Sequence, residues 1–439
     1  AVLVAQAAVG VAETWYVSFL GRDALAGVSL VLPIFMLMTM LSNGGVGSGV
    51  ASAAARAVGA GRPRDADAVA LHAVLLGLGL GAAFTAGAWL GGPRLYRALG
   101  GEGASLEVAL AYSNALFAGS VPFWIVNLLA AALRGAGDVR LPAKVTLAGA
   151  AVVVAASPAL VFGLGPIPAL GAAGAGVAVA LYYVGAAAFL LRRLGSGRST
   201  LRLAFGPPRR RHLADIARVG LPTAVSAVQP NLTVVVLTGA VGHFGVDALA
   251  AYGTASRLDY VLVPVLFGLG SAVLTMVGVN VGAGRIERAR RVAWVGALVA
   301  FAGAGAVGLA AAFAPAIWLG LFSREPAVVA TGALYLRWVA PLYGLFGAGF
   351  VMGFAAQGAA RALYPLLAGT ARMAVAAGLG AFAVTRLGAG LSTLFALVAL
   401  STLAYAGITL AAVLSGRVFR EPAPAEPVAD AGPPPLIAR

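Results

Sequence analysis

The chain has 439 residues, of which 61% are apolar and only 10% are charged, and its formal net charge is +15. Water-soluble domains are nearer half apolar and a quarter charged, so the composition excludes a soluble globular protein. Since one transmembrane helix needs about 20 mostly apolar residues, the chain can supply about a dozen spans. It is predicted to be an all-α, polytopic membrane protein.

Twelve apolar runs, broken by charges and by glycine and proline clusters, predict twelve transmembrane helices. The first six lie near residues 1–20, 27–55, 68–91, 106–132, 142–164 and 169–191. The second six lie near residues 219–242, 251–279, 290–313, 328–355, 364–385 and 390–415. We therefore divide the chain into a first lobe (1–191), a basic linker (192–218), a second lobe (219–420) and a tail (421–439). The first span begins at Ala1 without an initiator methionine, so we expect preceding residues to be missing.

Charge in the loops predicts the orientation of the chain. Lysine and arginine are concentrated after even-numbered spans and in the tail, and the linker carries eight arginines against the single acid Asp215. Because cytoplasmic loops of membrane proteins are enriched in these residues, both termini are predicted to be cytoplasmic. Arginines that orient insertion and contact lipid headgroups also account for the net charge, so nucleic-acid binding is not expected. The linker is predicted to be a flexible tether, and the proline-rich tail is predicted to be disordered.

The two sets of six helices are related by an internal repeat. The segment Val58–Arg62 recurs 223 residues later as Val281–Arg285, and the same offset pairs Tyr112 with Tyr335 and Pro142 with Pro365. Because each half contains an even number of helices, both halves have the same orientation in the membrane. They are predicted to be parallel repeats around an axis along the membrane normal, as in secondary transporters whose substrate site lies between the repeats.

Several segments of the chain carry a family resemblance. They are Gly-Val-Gly-Ser-Gly-Val at 45–50, Ala57–Arg62, Leu133–Asp138 with Pro142, Ser157–Gly163, Gly171–Ala175, Arg257–Asp259 and Val281–Arg285. Together these segments resemble the multidrug and toxic compound extrusion (MATE) family, most closely its DinF-like branch. The resemblance implies a twelve-helix exporter with two lobes around a central cavity. In that family the cavity opens alternately to the cytoplasm and to the outside, and efflux is driven by proton or sodium influx.

Glu13 is the one carboxylate that clearly falls inside a predicted span, since almost all of the 15 acidic residues lie in loops, at helix ends or in the tail. An ionised side chain there costs at least about 2.5 kcal/mol, and apolar surroundings favour the neutral form of an acid. At an offset of 224 residues Glu13 matches Leu237, so packing does not require the acid. We predict that Glu13 binds and releases the coupling proton. The alternative is an acid that hydrogen-bonds the neighbouring backbone. The resemblance points to the same position, where the family carries an aspartate.

Five further polar residues are predicted to line the same cavity. Gln6 precedes Glu13 by two helical turns and shares its face. The others are Asn127, Ser157, Gln229 and Asn231; some relatives carry an aspartate where Ser157 stands. Interhelical hydrogen bonding is the alternative for the amides. Arg257 and Asp259 lie two residues apart, do not face each other on a helix and are predicted to have structural roles near a span end.

No metal site or cofactor is predicted. The chain has no cysteine, and its three histidines are scattered at His72, His212 and His243, so no ligand cluster is visible. Gly59–Arg62 lacks the Lys-Ser or Lys-Thr of a phosphate-binding loop, and transport must therefore use an ion gradient. An intramembrane transferase would need clustered acids for magnesium, which the sequence does not offer, so an enzyme is not expected.

The sequence thus predicts a monomeric antiporter, surrounded by lipid, in the cytoplasmic membrane of a bacterium. It would export amphipathic, cationic organic compounds in exchange for protons. Two alternatives stay open. One is sodium coupling, and the other is a flippase for lipid-linked sugars, which would need a positively charged cavity.

Overall fold

The computed structural model describes residues 2–166, 168–203 and 206–419, with side chains from Val9 onward. Within these ranges the chain is helical and contains no strand. The helices of the first half are α1 (Val2–Ser18), α2 (Arg22–Met40), α3 (Val46–Gly59), α4 (Pro63–Ala98), α5 (Gly103–Ala118), α6 (Ser120–Gly135), α7 (Arg140–Phe162) and α8 (Ala172–Gly195). The predicted tail, residues 421–439, lies outside the described residues.

The helices of the second half repeat this order, with one short extra helix and with the equivalent of α7 divided into two helices. They are α9 (Arg210–Gly242), α10 (Val246–Ala255), α11 (Arg257–Gly282), α12 (Ile286–Phe313), α13 (Pro315–Leu319), α14 (Pro326–Val339), α15 (Tyr343–Gly358), α16 (Leu363–Met373), α17 (Gly380–Leu387) and α18 (Leu391–Leu414). Short π-helical segments, Leu41–Gly45 and Ala374–Leu379, join α2 to α3 and α16 to α17.

The predicted twelve-helix, two-lobe architecture agrees with this structure. Ten helical segments of the described chain are long and apolar enough to cross a membrane, and the bent pair α5–α6, with an angle of 48°, forms an eleventh. The twelfth position is taken by α1, whose 17 residues are apolar apart from a few polar side chains. Each predicted span therefore corresponds to one helical segment, and several segments contain a bend.

Each half has its own hydrophobic core. One core is built from residues of the first half, joined by Ile216, Leu274 and Phe354, and the other is built from residues between Leu237 and Phe419. Phe350 of α15 packs against both cores. The protein is therefore a pair of lobes, which we call the N-lobe and the C-lobe, in contact along a shared interface.

Reciprocal glycine contacts join the lobes at one end. A Cβ atom on Gly59 would overlap the backbone of Val279. Its repeat mate Gly282 lies in the same way against the backbone of Arg56, which is the repeat mate of Val279. This exchange of equivalent contacts is what a two-fold axis between parallel repeats requires, and the absence of a Cβ lets the backbones meet.

The linker is held against the N-lobe at this same end, contrary to the expectation of a flexible tether. Helix α9 begins at Arg210, so the last part of the predicted linker is helical. The Arg202 backbone N–H donates to Asp67 at 2.7 Å, and the Arg211 guanidinium pairs with Asp65 at 2.8 Å. The side chain of Leu201 is only 1% exposed. Asp65 and Asp67, at the start of α4, thus bind two arginines of the linker, and these partners could not be identified from the sequence. We call this arginine-rich end of the bundle the basic end.

The lobes separate towards the opposite end. From the basic end, lobe contacts continue to Thr223, whose hydroxyl donates to the Gly45 carbonyl at 2.9 Å, and to Asn231, whose amide lies 3.1 Å from the Met40 sulfur. One turn further along the two helices, Met36 is 61% exposed and Val235 is 69% exposed. We call the space between these exposed side chains of α2 and α9 the chamber. It is closed at the basic end by the lobe contacts and open at the other end.

Candidate functional site

Glu13 faces the interior of the N-lobe. Helix α1 packs on α7, where the Tyr16 hydroxyl donates to the Val154 carbonyl at 3.2 Å. The Oε1 atom of Glu13 is buried and has no hydrogen-bond partner in the described part of the chain. The carboxyl group lies close enough to Tyr112 of α5 and Tyr183 of α8 to interact with them electrostatically. An acid without a cation or a hydrogen-bond donor at this depth is costly as an anion, and binding a proton removes that cost.

Three aromatic side chains and the amide of Asn127 lie together beside Glu13. The Asn127 side chain donates to the Phe123 carbonyl at 2.9 Å and lies beside Tyr183. The Phe123 ring centre lies 4.7 Å from that of Tyr183 and 5.7 Å from that of Phe35. The structure therefore brings Glu13 and Asn127 together through Tyr183, in a setting that suits a flat, partly apolar ligand.

The other predicted residues lie in different surroundings. The Ser157 hydroxyl of α7 is fully buried in the N-lobe without a hydrogen-bond partner among the described residues. Gln229 connects α9 to α16, because its amide donates to the Thr370 hydroxyl at 2.8 Å. Asn231 is exposed at the lobe junction beside Met40. The side chain of Gln6 lies outside the described residues. Gln229 thus has the interhelical role that was its alternative, while Asn231 faces the opening between the lobes.

The sequence reasoning missed a polar cluster in the C-lobe. Asp259 of α11 lies against the side chains of Tyr335 and Tyr343 and interacts electrostatically with Arg372 of α16. The sequence predicts Asp259 near a span end, but the span begins at Val246, so Asp259 lies further inside the membrane. Its neighbour Arg257 is exposed, with its guanidinium 5.4 Å from the Phe322 ring centre. Glu13 is therefore not the one intramembrane carboxylate. The sequence feature that could have indicated this cluster is Arg372, an arginine inside an apolar span.

The two lobes place related side chains at equivalent positions. The repeat offset pairs Phe123 with Phe346, and Phe346 lies 5.8 Å from Tyr405 of α18, much as Phe123 lies beside Tyr183. The tyrosines near the two acids, Tyr112 and Tyr335, are also repeat mates. The acids themselves come from non-equivalent helices, α1 and α11. Each lobe therefore places aromatic side chains near one carboxyl group, and this group comes from a different helix in each lobe.

A separate groove of about 860 Å³ lies between α11 and α12 on the outside of the C-lobe. Its lining includes Met276, Arg288, Arg291 and Trp294. None of the carboxyl groups or aromatic pairs described above contributes to it. In the described residues, no three histidine or acidic side chains are grouped so that they could hold a metal ion.

Comparisons with known proteins agree on one family. The family model MatE matches residues 1–158 and 222–382. The chain is 27% identical to the FAD transporter of Shewanella oneidensis, over 76% of this chain and 75% of that one. It is 28% identical to the probable multidrug resistance protein NorM of Geobacillus kaustophilus, over 55% of this chain and only 52% of that relative. A crystal structure of MATE in the bent conformation superimposes with a TM-score of 0.85 at 25% identity, covering 94% of this chain and 91% of the other.

Proposed function

The chain belongs to the MatE family of multi-pass membrane transporters, and on that premise we propose that it exports organic compounds in exchange for protons. The observation that supports this proposal is the position of Glu13. Its buried Oε1 atom has no hydrogen-bond partner among the described residues, and the carboxyl group lies near Tyr112 and Tyr183 inside the N-lobe. A carboxyl group in that setting can hold either a proton or an organic cation, but not both.

The surroundings of Glu13 favour aromatic or amphipathic cations as substrates. Rings of Phe35, Phe123 and Tyr183 offer stacking surfaces, and the faces of such rings attract cations. The ionised carboxylate adds an attraction that is strong because little water screens it. Among the relatives, the one named a probable multidrug resistance protein agrees with such substrates, whereas the one named an FAD transporter carries an aromatic compound that is an anion.

Exchange follows from which side of the membrane reaches Glu13. We place the basic end in the cytoplasm, since arginines collect in cytoplasmic loops, so the chamber described here opens outwards. A proton arriving from outside neutralises Glu13 and releases the bound cation. The lobes then rock about their interface, the basic end opens, and the proton leaves into the cytoplasm. A new cation then binds the ionised carboxylate, and the lobes return to the arrangement that is open to the outside.

A proton gradient is sufficient to drive such a cycle. Exchange of one proton for one monovalent cation moves no net charge across the membrane, so the pH difference supplies the energy and the membrane potential does not. At about 1.4 kcal/mol for each factor of ten, each unit of pH difference sustains a roughly tenfold ratio of substrate concentrations. The lobe contacts at the basic end must break in each cycle, and they include glycine packing, a few polar bonds and apolar side chains such as Ile216.

Transport by purified protein in proteoliposomes tests the proposal. A fluorescent organic cation is followed while the pH gradient and the sodium gradient are imposed separately. We expect uptake to follow the pH gradient alone, and E13Q to remove this dependence. E107Q, which changes an exposed acid on α5, serves as the matched control and should behave as the wild type. Transport driven by sodium alone would instead support the sodium-coupled alternative.

A further inference from the structure

Arg372 is a half-buried arginine within a membrane-spanning helix of the C-lobe, and its hydrogen-bond donors have no partner in the described part of the chain. It is nine residues after the start of α16 at the basic end, which corresponds to about 14 Å along the helix and places it near the middle of the membrane. The carbon of its guanidinium group lies 4.7 Å from the centre of the Phe346 ring. Among the described residues, no acidic group lies within 4.0 Å of it, and it donates no hydrogen bond.

The repeat shows that helix packing does not require this arginine. The offset that pairs Pro142 with Pro365 pairs Gly149 of α7 with Arg372. A Cβ on Gly149 would overlap the ring of Tyr182, so in the N-lobe an aromatic ring occupies the space beside this position. The C-lobe carries a charged side chain at the matching place. An arginine in the membrane interior is costly. The N-lobe avoids this cost, because its matching residue is the uncharged Gly149.

Asp259 balances the charge of Arg372 without occupying its donors. The two groups interact electrostatically, but they are too far apart to form an ion pair. The carboxylate of Asp259 lies instead against Tyr335 and Tyr343. The guanidinium group therefore keeps its positive charge in the interior while its N–H groups stay available. The planar fork of five donors on arginine fits the two oxygens of a carboxylate or phosphate.

We propose that Arg372, with the rings of Phe346 and Tyr405, forms a subsite that binds the anionic group of an aromatic substrate. Phe346 holds the guanidinium in place, and the flat part of the ligand stacks against the ring pair, whose centres are 5.8 Å apart. The substrate class is thus aromatic compounds with a carboxylate or phosphate group, including zwitterions whose cationic group faces Glu13. This inference rests on the proposed export function, but it concerns binding and not coupling.

A pair of dyes that differ in one charge tests the subsite. The probes are a cationic xanthene dye with a free benzoate group and the methyl ester of the same dye. Binding to purified protein in nanodiscs of phosphatidylcholine is measured by fluorescence polarisation, with no ion gradient. R372Q should weaken binding of the acid about tenfold, the strength expected of one charge-assisted contact, and leave the ester unchanged. R386Q, an exposed arginine of α17, is the matched control and should bind both dyes as the wild type does.

Two results would overturn the subsite. One is an equal loss of affinity for acid and ester in R372Q, which indicates a structural role, and the other is no loss for either. If R372Q does not fold, R372K keeps the charge without the fork and should lose about threefold for the acid alone. A second arm adds phosphatidylglycerol to the nanodiscs. Displacement of the acid by this lipid in the wild type but not in R372Q would assign the site to a lipid phosphate and overturn the substrate assignment.

Failure of the proposed function gives a different pattern. If E13Q still transports a cation with the pH gradient, proton coupling through Glu13 is wrong. The preference for the acid dye over its ester, measured without a gradient, is unaffected by that result. The two hypotheses can therefore fail separately.

Discussion

Tyr112 and Tyr335 are repeat mates, and each lies near a carboxyl group, Glu13 in the N-lobe and Asp259 in the C-lobe. The two acids come from different helices, so the repeat did not simply copy one acid into both halves. In the C-lobe an arginine accompanies the acid, whereas the N-lobe has Gly149 at that place. The halves therefore share their aromatic framework and differ in charge. This difference permits one lobe to exchange protons while the other recognises a further group on the substrate.

Asp259 and Arg372 should be coupled energetically. We expect D259N and R372Q each to lower thermal stability, because each leaves an opposite charge uncompensated in the membrane interior, at a cost of about 1–3 kcal/mol. The double variant should lose less than the sum of the two. Thermal unfolding of purified protein, followed by size-exclusion chromatography, measures all three. Additive losses would show that the two groups do not interact.

Closure at the basic end should depend on the absence of a Cβ at Gly59. We expect G59L to hold the lobes apart there, because the side chain would collide with the Val279 backbone. Spin labels at the exposed repeat mates Arg62 and Arg285 report the separation. The wild type should give a short distance and the variant a longer one.

Gly79 supplies the control for that experiment. No atom lies within 4 Å of a Cβ built at this position on α4, so G79L should keep the short distance. The interpretation fails if G59L also keeps it, or if both variants lengthen it to the same extent.

The ion pair between Arg56 and Asp215 should favour the closed basic end. The Arg56 guanidinium donates to the Asp215 carboxylate at 2.6 Å and to the Gly358 carbonyl at 3.4 Å, so one side chain of the N-lobe contacts two helices of the C-lobe. Asp215 is 42% exposed, so we expect D215N to shift the equilibrium by only about 1 kcal/mol. The same spin labels should then show a larger population with the basic end open.

A surface ion pair provides the comparison for D215N. Glu287 and Arg290 lie 3.8 Å apart on α12, and the glutamate is 88% exposed. E287Q removes the same kind of charge without touching the lobe interface, so its distance distribution should match the wild type. An identical shift in E287Q would mean that net charge, and not the lobe contact, sets the equilibrium.

Much of the fold could be predicted from the sequence. Hydropathy and the repeat together gave the twelve helices and two lobes, because long apolar runs and a shared register leave few other arrangements. The basic linker was harder, since its partners Asp65 and Asp67 belong to another helix, and charge composition alone resembles that of a flexible segment. The bends within spans, such as the π segment at Leu41–Gly45, leave no clear mark in hydropathy.

The candidate site could be predicted only in part. Glu13 stood out because an isolated acid in an apolar run needs a reason, and the resemblance pointed to the same position. Asp259 did not stand out, because a charge near a predicted span end is ordinary. Gln229 could not be distinguished from a cavity residue without knowing that Thr370 lies opposite. Which side chains meet across helices is a property of packing, and neither composition nor spacing contains it.

Competition between a proton and a cation for Glu13 is the central claim, and proton release on binding tests it most directly. Purified protein in a weakly buffered solution is mixed with a cationic substrate that does not itself titrate, and the pH change is recorded. By linkage, a ligand that displaces a proton from its site must release it, so we predict about half a proton for each substrate bound near the midpoint of the titration of Glu13, rising towards one proton at lower pH. E13Q should bind substrate more weakly and release none. Equal proton release by E13Q and the wild type would contradict the account.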